Sequence, residues 1–558
     1  METANIMLTG MMGAGKTTIG QKLAAKLEKA FVDLDDVIEE RAGASIQELF
    51  RCYGEAHFRD EENKALKDVL SQTNQVIATG GGVVIGEENR SLIQNHPTIW
   101  LALDSATAAK RLVFDGTRPL LKPTVTEESS VSEGDRRQGM ARWRQLEEER
   151  RWAYSLCDWV VDAARPEEAI IHEIVAWWQA YQGIDTGQGI KHRPWKVGHL
   201  RVDVPENPYL IHFGRGILSN LGERCRAELG LRQVIVVSNP TVFELYGDMA
   251  TVSLDKAGLK RDVVLIPDGE EHKHLRTVES IYTAAFRAGL DRKSGIIALG
   301  GGVVGDVAGF AAATYMRGVR LVQVPTTLLA QVDSSVGGKV GVNHPQGKNL
   351  IGSFYQPNLV LADLETLGTL PERQFLTGMA EVLKYGLIAD TSLLDSLARY
   401  GNKDIPQATL TEWVERSCKL KARVVAKDTK EAGYREILNF GHTVGHAVEK
   451  VAGYGQYTHG EAVAIGMVTA GILSYLRGYL KKADCQKVIQ LIRMWRLPVD
   501  IGELSVSAII EACRLDKKTR FGELRFVLLE SLGSAKMGEV VGEKELVQAF
   551  QIQKEGGP

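Results

Sequence analysis

The eight residues from Gly10 to Thr17 read Gly-Met-Met-Gly-Ala-Gly-Lys-Thr, and they constrain the fold of this chain more than any other stretch. They match Gly-x-x-x-x-Gly-Lys-Ser/Thr, directly after the apolar run Asn5 to Leu8 and before a helical run from Thr18 to Leu27. Strand, glycine-rich loop and helix in that order open a parallel sheet with flanking helices. In such a loop the N–H groups of Gly13, Ala14, Gly15 and the following turn, including Thr18, surround the phosphates of a nucleotide such as ATP. Lys16 reaches the β and γ oxygens and the Thr17 hydroxyl ligates Mg²⁺.

A second glycine-rich turn ends the apolar strand Ile296 to Leu299: Gly300, Gly301 and Gly302 precede Gly305 and Asp306, and an alanine-rich helix follows. Backbone amides at a helix N-terminus favour a pyrophosphate, although the Gly-x-Gly-x-x-Gly dinucleotide fingerprint is absent. Asp333 to Lys339 and Asn343 to Asn349 alternate polar groups with glycine, as a folded anion-binding wall does. Gly80 to Gly82 and Gly300 to Gly302 each follow a short apolar strand and precede Val-Val, but the first has no following Gly-Asp and the second no P-loop upstream, so the two triplets reflect the same need for close backbone approach rather than a duplication.

His442 and His446 stand four apart, on one face if helical, with His459 shortly after and Glu381 upstream. Imidazole nitrogen and carboxylate oxygen suit zinc. His459 is expected to supply a ligand from a loop, leaving one coordination position for substrate.

At 558 residues the chain exceeds a single core. The glycine-rich, apolar-poor stretch 182–195, after an amphipathic helix at 166–180, reads as a joint. This gives a domain at 1–182, a linker at 183–198, an α/β domain at 199–365 and a mainly helical domain at 366–558. A net charge of −3 offers no basic field for nucleic acid, and no apolar run approaches the roughly 20 residues of a membrane span. Six cysteines without short pair spacing point to reduced thiols and a cytoplasmic location.

Gly300 to Asp306, Arg317, Asp333 to Lys339, Lys348 with Asn349, Glu381 to Lys384 and Arg435 to His446 closely resemble 3-dehydroquinate synthase over about residues 199–558. The resemblance implies conversion of 3-deoxy-arabino-heptulosonate 7-phosphate to 3-dehydroquinate and phosphate, with NAD and Zn²⁺ or Co²⁺. It implies Glu381, His442 and His459 as metal ligands and His446 as a neighbouring group or proton carrier. Asp268, Glu270, Lys273, Gly301, Gly302, Asp306, Thr326, Thr327, Lys339 and Lys348 fall on NAD contacts. Asp333, Lys339, Asn349, Lys384, Lys421, Arg435, Asn439 and one or both of Lys517 and Lys518 fall on substrate contacts. Lys384, His446 and Arg435 are the catalytic candidates. Arg317 resembles an arginine that the family donates from a neighbouring subunit, which implies a homodimer through this half.

The N-terminal part is similar to shikimate kinase. By that resemblance Asp33 lies near Mg²⁺ and the acceptor hydroxyl, and Asp35, Arg59, Gly80, Gly81, Gly82 and Arg150 bind shikimate. Arg118 is the lid arginine and Arg111 lies against adenine. Arg151 rivals Arg150, and the acidic, serine-rich run 127–133 reads as a solvated loop. The expectation is a bifunctional enzyme of aromatic biosynthesis. The alternatives are a related sugar-phosphate cyclase joined to a gluconate-type kinase, or one half serving as a non-catalytic regulatory module; the intact Lys16, Thr17, Asp33 and histidine set argue against the latter.

Overall fold

The computed structural model describes residues 4–112, 133–182, 197–401, 404–453, 455–515 and 523–558. Arg118, Lys517, Lys518 and almost all of the linker lie outside the described residues. The chain forms two compact units: Met1–Val197 with Gly214–Gln233 and Asp248–Arg261, and Gly198–Phe213 with Val234–Gly247 and Asp262–Pro558. The first unit thus takes in segments from beyond residue 199, where the sequence places the next domain.

The first unit is built on five short strands, β1 (Ile6–Thr9), β2 (Ala30–Asp33), β3 (Gln75–Ala78), β4 (Thr98–Ala102) and β5 (Trp159–Asp162), all parallel in the order β2-β3-β1-β4-β5. Near-continuous apolar runs such as Ile6–Leu8 and Val76–Ala78 are buried, as expected when helices cover both faces of a sheet. The register pairs Asp33 with Ala78 and Leu8 with Ala78. Three neighbouring strands therefore end together, delivering Asp33, Gly80 and Gly10 to the carboxyl edge of the sheet, where open α/β sheets bind ligands.

The second unit holds a seven-stranded sheet: β6 (Gly198–Val202), β7 (Tyr209–Gly214), β8 (Gln233–Ser238), β9 (Lys260–Leu265), β10 (Gly295–Gly300), β11 (Arg320–Pro325) and, after the hairpin β12 (Lys339–His344) and β13 (Gly347–Phe354), β14 (Leu359–Asp363). Its order is β6-β7-β14-β11-β10-β8-β9. The helices Glu372–Ala389, Gln407–Lys427, His442–Ala452, His459–Leu476 and Lys482–Met494 follow. A second hairpin, β15 (Arg525–Ser531) and β16 (Ser534–Val540), interrupts this helical region. It departs from the helical domain expected at 366–558, because Phe526 to Leu529 is a short continuous apolar run, which periodicity alone does not assign to strand or helix. Helix His459–Leu476 is long and apolar enough by composition to cross a membrane, and it is 78% buried. Its buried residues belong to this unit's largest hydrophobic cluster.

Candidate active sites

In the first unit, Gly10 has φ 139° and a Cβ there would stand 2.5 Å from the Leu101 carbonyl oxygen, so the loop can leave β1 only through glycine. Lys16 heads the helix Lys16–Lys26 and its Nζ donates to the carbonyls of Gly10 at 2.9 Å and Met11 at 3.3 Å. Thr17 Oγ1 donates to Asp33 Oδ2 at 2.7 Å, while Asp33 Oδ1 accepts the Asp35 N–H and caps the next helix. The two side chains expected around Mg²⁺ therefore already touch.

Beside this loop the glycine triplet is hemmed in by charge. A Cβ on Gly80 would lie 2.7 Å from Asp35 Oδ1, and one on Gly82 would lie 2.5 Å from Arg59 Nη1. Arg59 is held by Glu55 and by Glu62, each at 2.9 Å. Arg150 is buried and donates to the Gly81 carbonyl at 3.0 Å, which Tyr154 Oη also engages. Arg151 instead pairs with Glu147 one helical turn away, so only Arg150 reaches the triplet. Burial raises the pKa of Asp35 against the pull of Lys16. Two guanidiniums and a carboxyl, groups able to bind a carboxylate and hydroxyls, thus gather around a largely buried glycine triplet. Glu62, which is buried, ends the run from Gly54 that offers acceptor-site candidates, and Tyr154 follows Arg150 and Arg151, but the sequence alone assigns neither a role; Glu62 stands three after Arg59 on one helix, which puts the two on one face. Thr18 and Arg111 are exposed.

In the second unit, Glu381, His442 and His459 converge, with ligating atoms all within 4.8 Å of one another. Nε2 of His442 and of His459 lie 3.6 and 3.8 Å from Glu381 Oε1. His459 does not come from a loop: it is the first residue of its helix, capped by Thr458 with Glu461, as His442 is the first residue of its own. Two close approaches hold the three ligand-bearing helices. A Cβ on Gly460 would sit 2.2 Å from the Thr377 carbonyl oxygen, one turn before Glu381, and a Cβ on Gly466 would sit 1.9 Å from that of Gly441. The Glu381 carboxylate is fully buried, and neither oxygen makes a hydrogen bond, although Lys384 is ion-paired with it. A buried carboxylate without hydrogen bonds, facing two imidazoles, is a fitting donor set for a divalent cation.

Glu449, unnamed in the sequence reading, accepts from His459 Nδ1 at 3.2 Å and pairs with Lys348 at 3.1 Å. It thereby turns His459 Nε2 toward Glu381, the orienting role of a carboxylate behind a metal-binding histidine. The ring of His446 lies 5.6 Å from that of His442 and 6.0 Å from that of His459.

The glycine turn Gly300 to Gly302 joins β10 to helix Gly302–Thr314, and Cβ atoms on Gly301 and Gly302 would crowd Thr327 and Ser334 at 3.0 and 3.2 Å. The Thr326 N–H closes on the Gly300 carbonyl. Lys273 is buried and donates to Asp306 and Asn349, both at 2.6 Å. Asn343 donates to Glu270 at 2.9 Å, and Asp268 accepts from Thr241 at 3.2 Å. Further along, Lys421 and Tyr385 both donate to Asp333 Oδ1, at 2.6 and 2.9 Å; despite burial, Lys421 and Lys384 hold that carboxyl well below the ordinary range. Lys339 pairs with Glu431 at 2.5 Å, toward which Asn439 also points. Arg435 is buried against Gly337, where a Cβ would lie 2.5 Å from Nη2. Arg317 is exposed and adopts a left-handed φ of 66°.

The chain thus combines a P-loop phosphotransferase fold with a carboxylate–histidine centre and a glycine-rich nucleotide turn in a second unit. Family models match as shikimate kinase over residues 12–179, 3-dehydroquinate synthase N-terminal over 263–377 and 3-dehydroquinate synthase C-terminal over 378–519. The chain is 48% identical over 360 residues to a 3-dehydroquinate synthase of Synechococcus sp. (strain CC9605), covering 63% of this chain and 97% of that protein. It is 52% identical over 339 residues to one from Pelotomaculum thermopropionicum, covering 60% and 91%. Among solved structures it is similar to 2-deoxy-scyllo-inosose synthase complexed with carbaglucose-6-phosphate, NAD⁺ and Co²⁺, at 28% identity and TM-score 0.58 over 64% of this chain and 100% of that one. It is also similar to 2-epi-5-epi-valiolone synthase from Streptomyces hygroscopicus subsp. jinggangensis with NAD⁺ and Zn²⁺ bound, at 28% identity and TM-score 0.59 over 65% and 100%. The chain belongs to the 3-dehydroquinate synthase family and carries a shikimate kinase domain ahead of it. It is an enzyme of the shikimate pathway with both a kinase and a lyase part.

Proposed function

We propose that residues 1–182 supply the phosphorylation of shikimate by ATP and residues 199–558 the conversion of 3-deoxy-arabino-heptulosonate 7-phosphate to 3-dehydroquinate and phosphate. The observation that carries the reading is that each half has its charged groups packed against the glycine turn or metal donors the reaction needs. In the kinase, Arg59 and Arg150 take the shikimate carboxylate and Asp35 its ring hydroxyls. Asp33 and Thr17 hold Mg²⁺ beside the acceptor hydroxyl. Lys16 meets the charge on the transferring phosphoryl group, with Arg118 closing from the lid.

In the synthase, Glu381, His442 and His459 hold Zn²⁺ or Co²⁺, and Gly301, Gly302, Lys273, Asp268, Glu270, Asp306, Thr326, Thr327 and Lys348 surround NAD. When bound, the metal acidifies the hydroxyl to be oxidised and NAD takes and returns its hydride. Lys384, Lys421 and Asn439 hold the hydroxyls and carboxylate, with Lys421 oriented by Asp333. Lys339, Asn349, Arg435 and Lys517 or Lys518 take the phosphate, joined by Arg317 of a second copy in a homodimer. His446 carries protons. Six free cysteines support a cytoplasmic location. Relatives at 48–52% identity are dehydroquinate synthases, whereas cyclases of other substrates stand at 28%, which favours the heptulosonate substrate.

The test is a pair of assays on the full chain, ADP release with shikimate and phosphate release from the heptulosonate phosphate. Both are repeated after chelation and return to excess Mg²⁺, with metal content measured. Dehydroquinate formation is expected to vanish and to return with Zn²⁺ or Co²⁺, while phosphorylation of shikimate continues. Full synthase turnover in a sample shown to be metal-free would overturn the metal assignment.

A further inference from the structure

Strand β5 is an edge strand of the kinase sheet, and its outer side is not left to solvent. Asn220, from the segment 214–233, uses its amide as a neighbouring strand would: Oδ1 accepts the Val160 N–H at 3.1 Å and Nδ2 donates to the Val160 carbonyl at 3.0 Å. One turn further, Arg224 is fully buried and donates to the carbonyls of Cys157 at 2.8 Å and Ser155 at 3.4 Å. Arg226 pairs with Asp162 at the end of the same strand at 2.7 Å.

The carbonyls that Arg224 holds follow directly on helix Glu133–Tyr154, whose last turn carries Arg150 and Tyr154, the two side chains clasping Gly81. Tyr154 stands four positions after Arg150 on the same helix, so a shift of the helix end moves both together. The same guanidinium pairs with Glu228 of its own helix at 2.9 Å, so it is anchored from behind while it fixes the two carbonyls, and its removal leaves buried acceptors unsatisfied.

We propose that Arg224, from the sequence on the synthase side of the joint, is a positioning residue of the kinase: with Asn220 it fixes the end of the helix that presents Arg150 to the shikimate carboxylate. The kinase is therefore completed by the segment 214–233 and not by residues 1–182 alone. The inference rests on the assignment of Arg150 to shikimate.

The test uses the full chain with Arg224→Ala, Arg224→Lys and Asn220→Ala, measuring kinase KM for shikimate and for ATP, kcat, and thermal unfolding. A lysine keeps the charge but cannot bridge both carbonyls. Arg224→Lys and Asn220→Ala are expected to raise the shikimate KM by roughly tenfold while leaving the ATP KM within about twofold, and Arg224→Ala to do more. If Arg224→Ala fails to fold, the two milder variants decide. An unchanged shikimate KM in these folded variants overturns the proposal, as do shikimate and ATP constants that rise in proportion to a fall in melting temperature. Absence of shikimate phosphorylation in the unaltered chain would instead strike at the function on which the proposal rests.

Discussion

Lys16 shows how a single side chain is committed before its ligand arrives. Its ammonium rests on the carbonyls of Gly10 and Met11, a position from which phosphate oxygens can draw it across the loop. Lys16→Ala is expected to lower kinase kcat by roughly 10²-fold or more, because no other residue of the loop brings a full positive charge to the transferring group. Synthase turnover serves as the internal control, and a near-normal kinase rate would refute the role. Glu223 makes a different point at the same scale. Burial beside Glu173 and Asp162, only partly offset by Arg165 and Arg226, raises its pKa from an ordinary 4.5 to about 7. The folded state therefore binds more protons than the unfolded chain between those values, so this group's contribution to stability falls as pH rises from 4.5 through 7. Above pH 7 the ionised carboxylate costs the fold on the order of 3 kcal/mol. Glu223→Gln is expected to raise the melting temperature at pH 8 and to change it little near pH 4.5; a variant less stable at pH 8 would show that Glu223 works as an ion-pair partner.

At the scale of elements, the metal centre depends on how closely three helices approach. Gly466 lies in the middle of an otherwise apolar helix, where alanine normally stabilises by ~1 kcal/mol. Here the added methyl would meet the Gly441 carbonyl oxygen at 1.9 Å, next to His442, so the clash outweighs the propensity. Gly466→Ala is expected to destabilise by ~1–3 kcal/mol or more and to lower the zinc content of purified protein. Gly471→Ala, in the same helix but with only Val488 at 3.7 Å, is the control and is expected to be neutral or stabilising. Equal metal content and stability in both variants would show that helix spacing does not set the site. The two histidines at helix N-termini face the positive ends of those helices, which disfavour a cation, and the buried Glu381 and Glu449 supply the compensating charge.

For the whole molecule, the exposed Arg317 in left-handed backbone is explained if it serves a second copy. In a dimer with two shared sites, a chain with Arg317→Ala and a chain with Lys339→Ala together restore one complete site. Coexpressed mixed dimers are expected to recover about half the wild-type activity, while each variant alone is nearly inactive. No recovery in verified mixed dimers would mean that Arg317 acts within its own chain or away from the phosphate.

The sequence by itself located the candidate chemistry: the nucleotide loop, the second glycine turn and the His442/His446 pair are local patterns set by spacing along strand, turn and helix, whereas Glu381, some sixty positions before His442, meets the histidines only in the fold. It also separated a kinase end from a synthase end. Only the tertiary structure distinguishes Arg150 from Arg151, adjacent in sequence but pointed by one helix toward Gly81 and toward Glu147 respectively. It likewise moved His459 from a loop to the head of a helix, placed Glu449 behind it, and gave Gly460 and Gly466 their reason. The sequence boundary at 199 marked where a new pattern of strands begins, but burial of Arg224 and Asn220 against β5 joins segment 214–233 to the kinase. Contacts between residues some sixty positions apart leave no periodicity to read; they exist only once the strand edge that they satisfy has been formed.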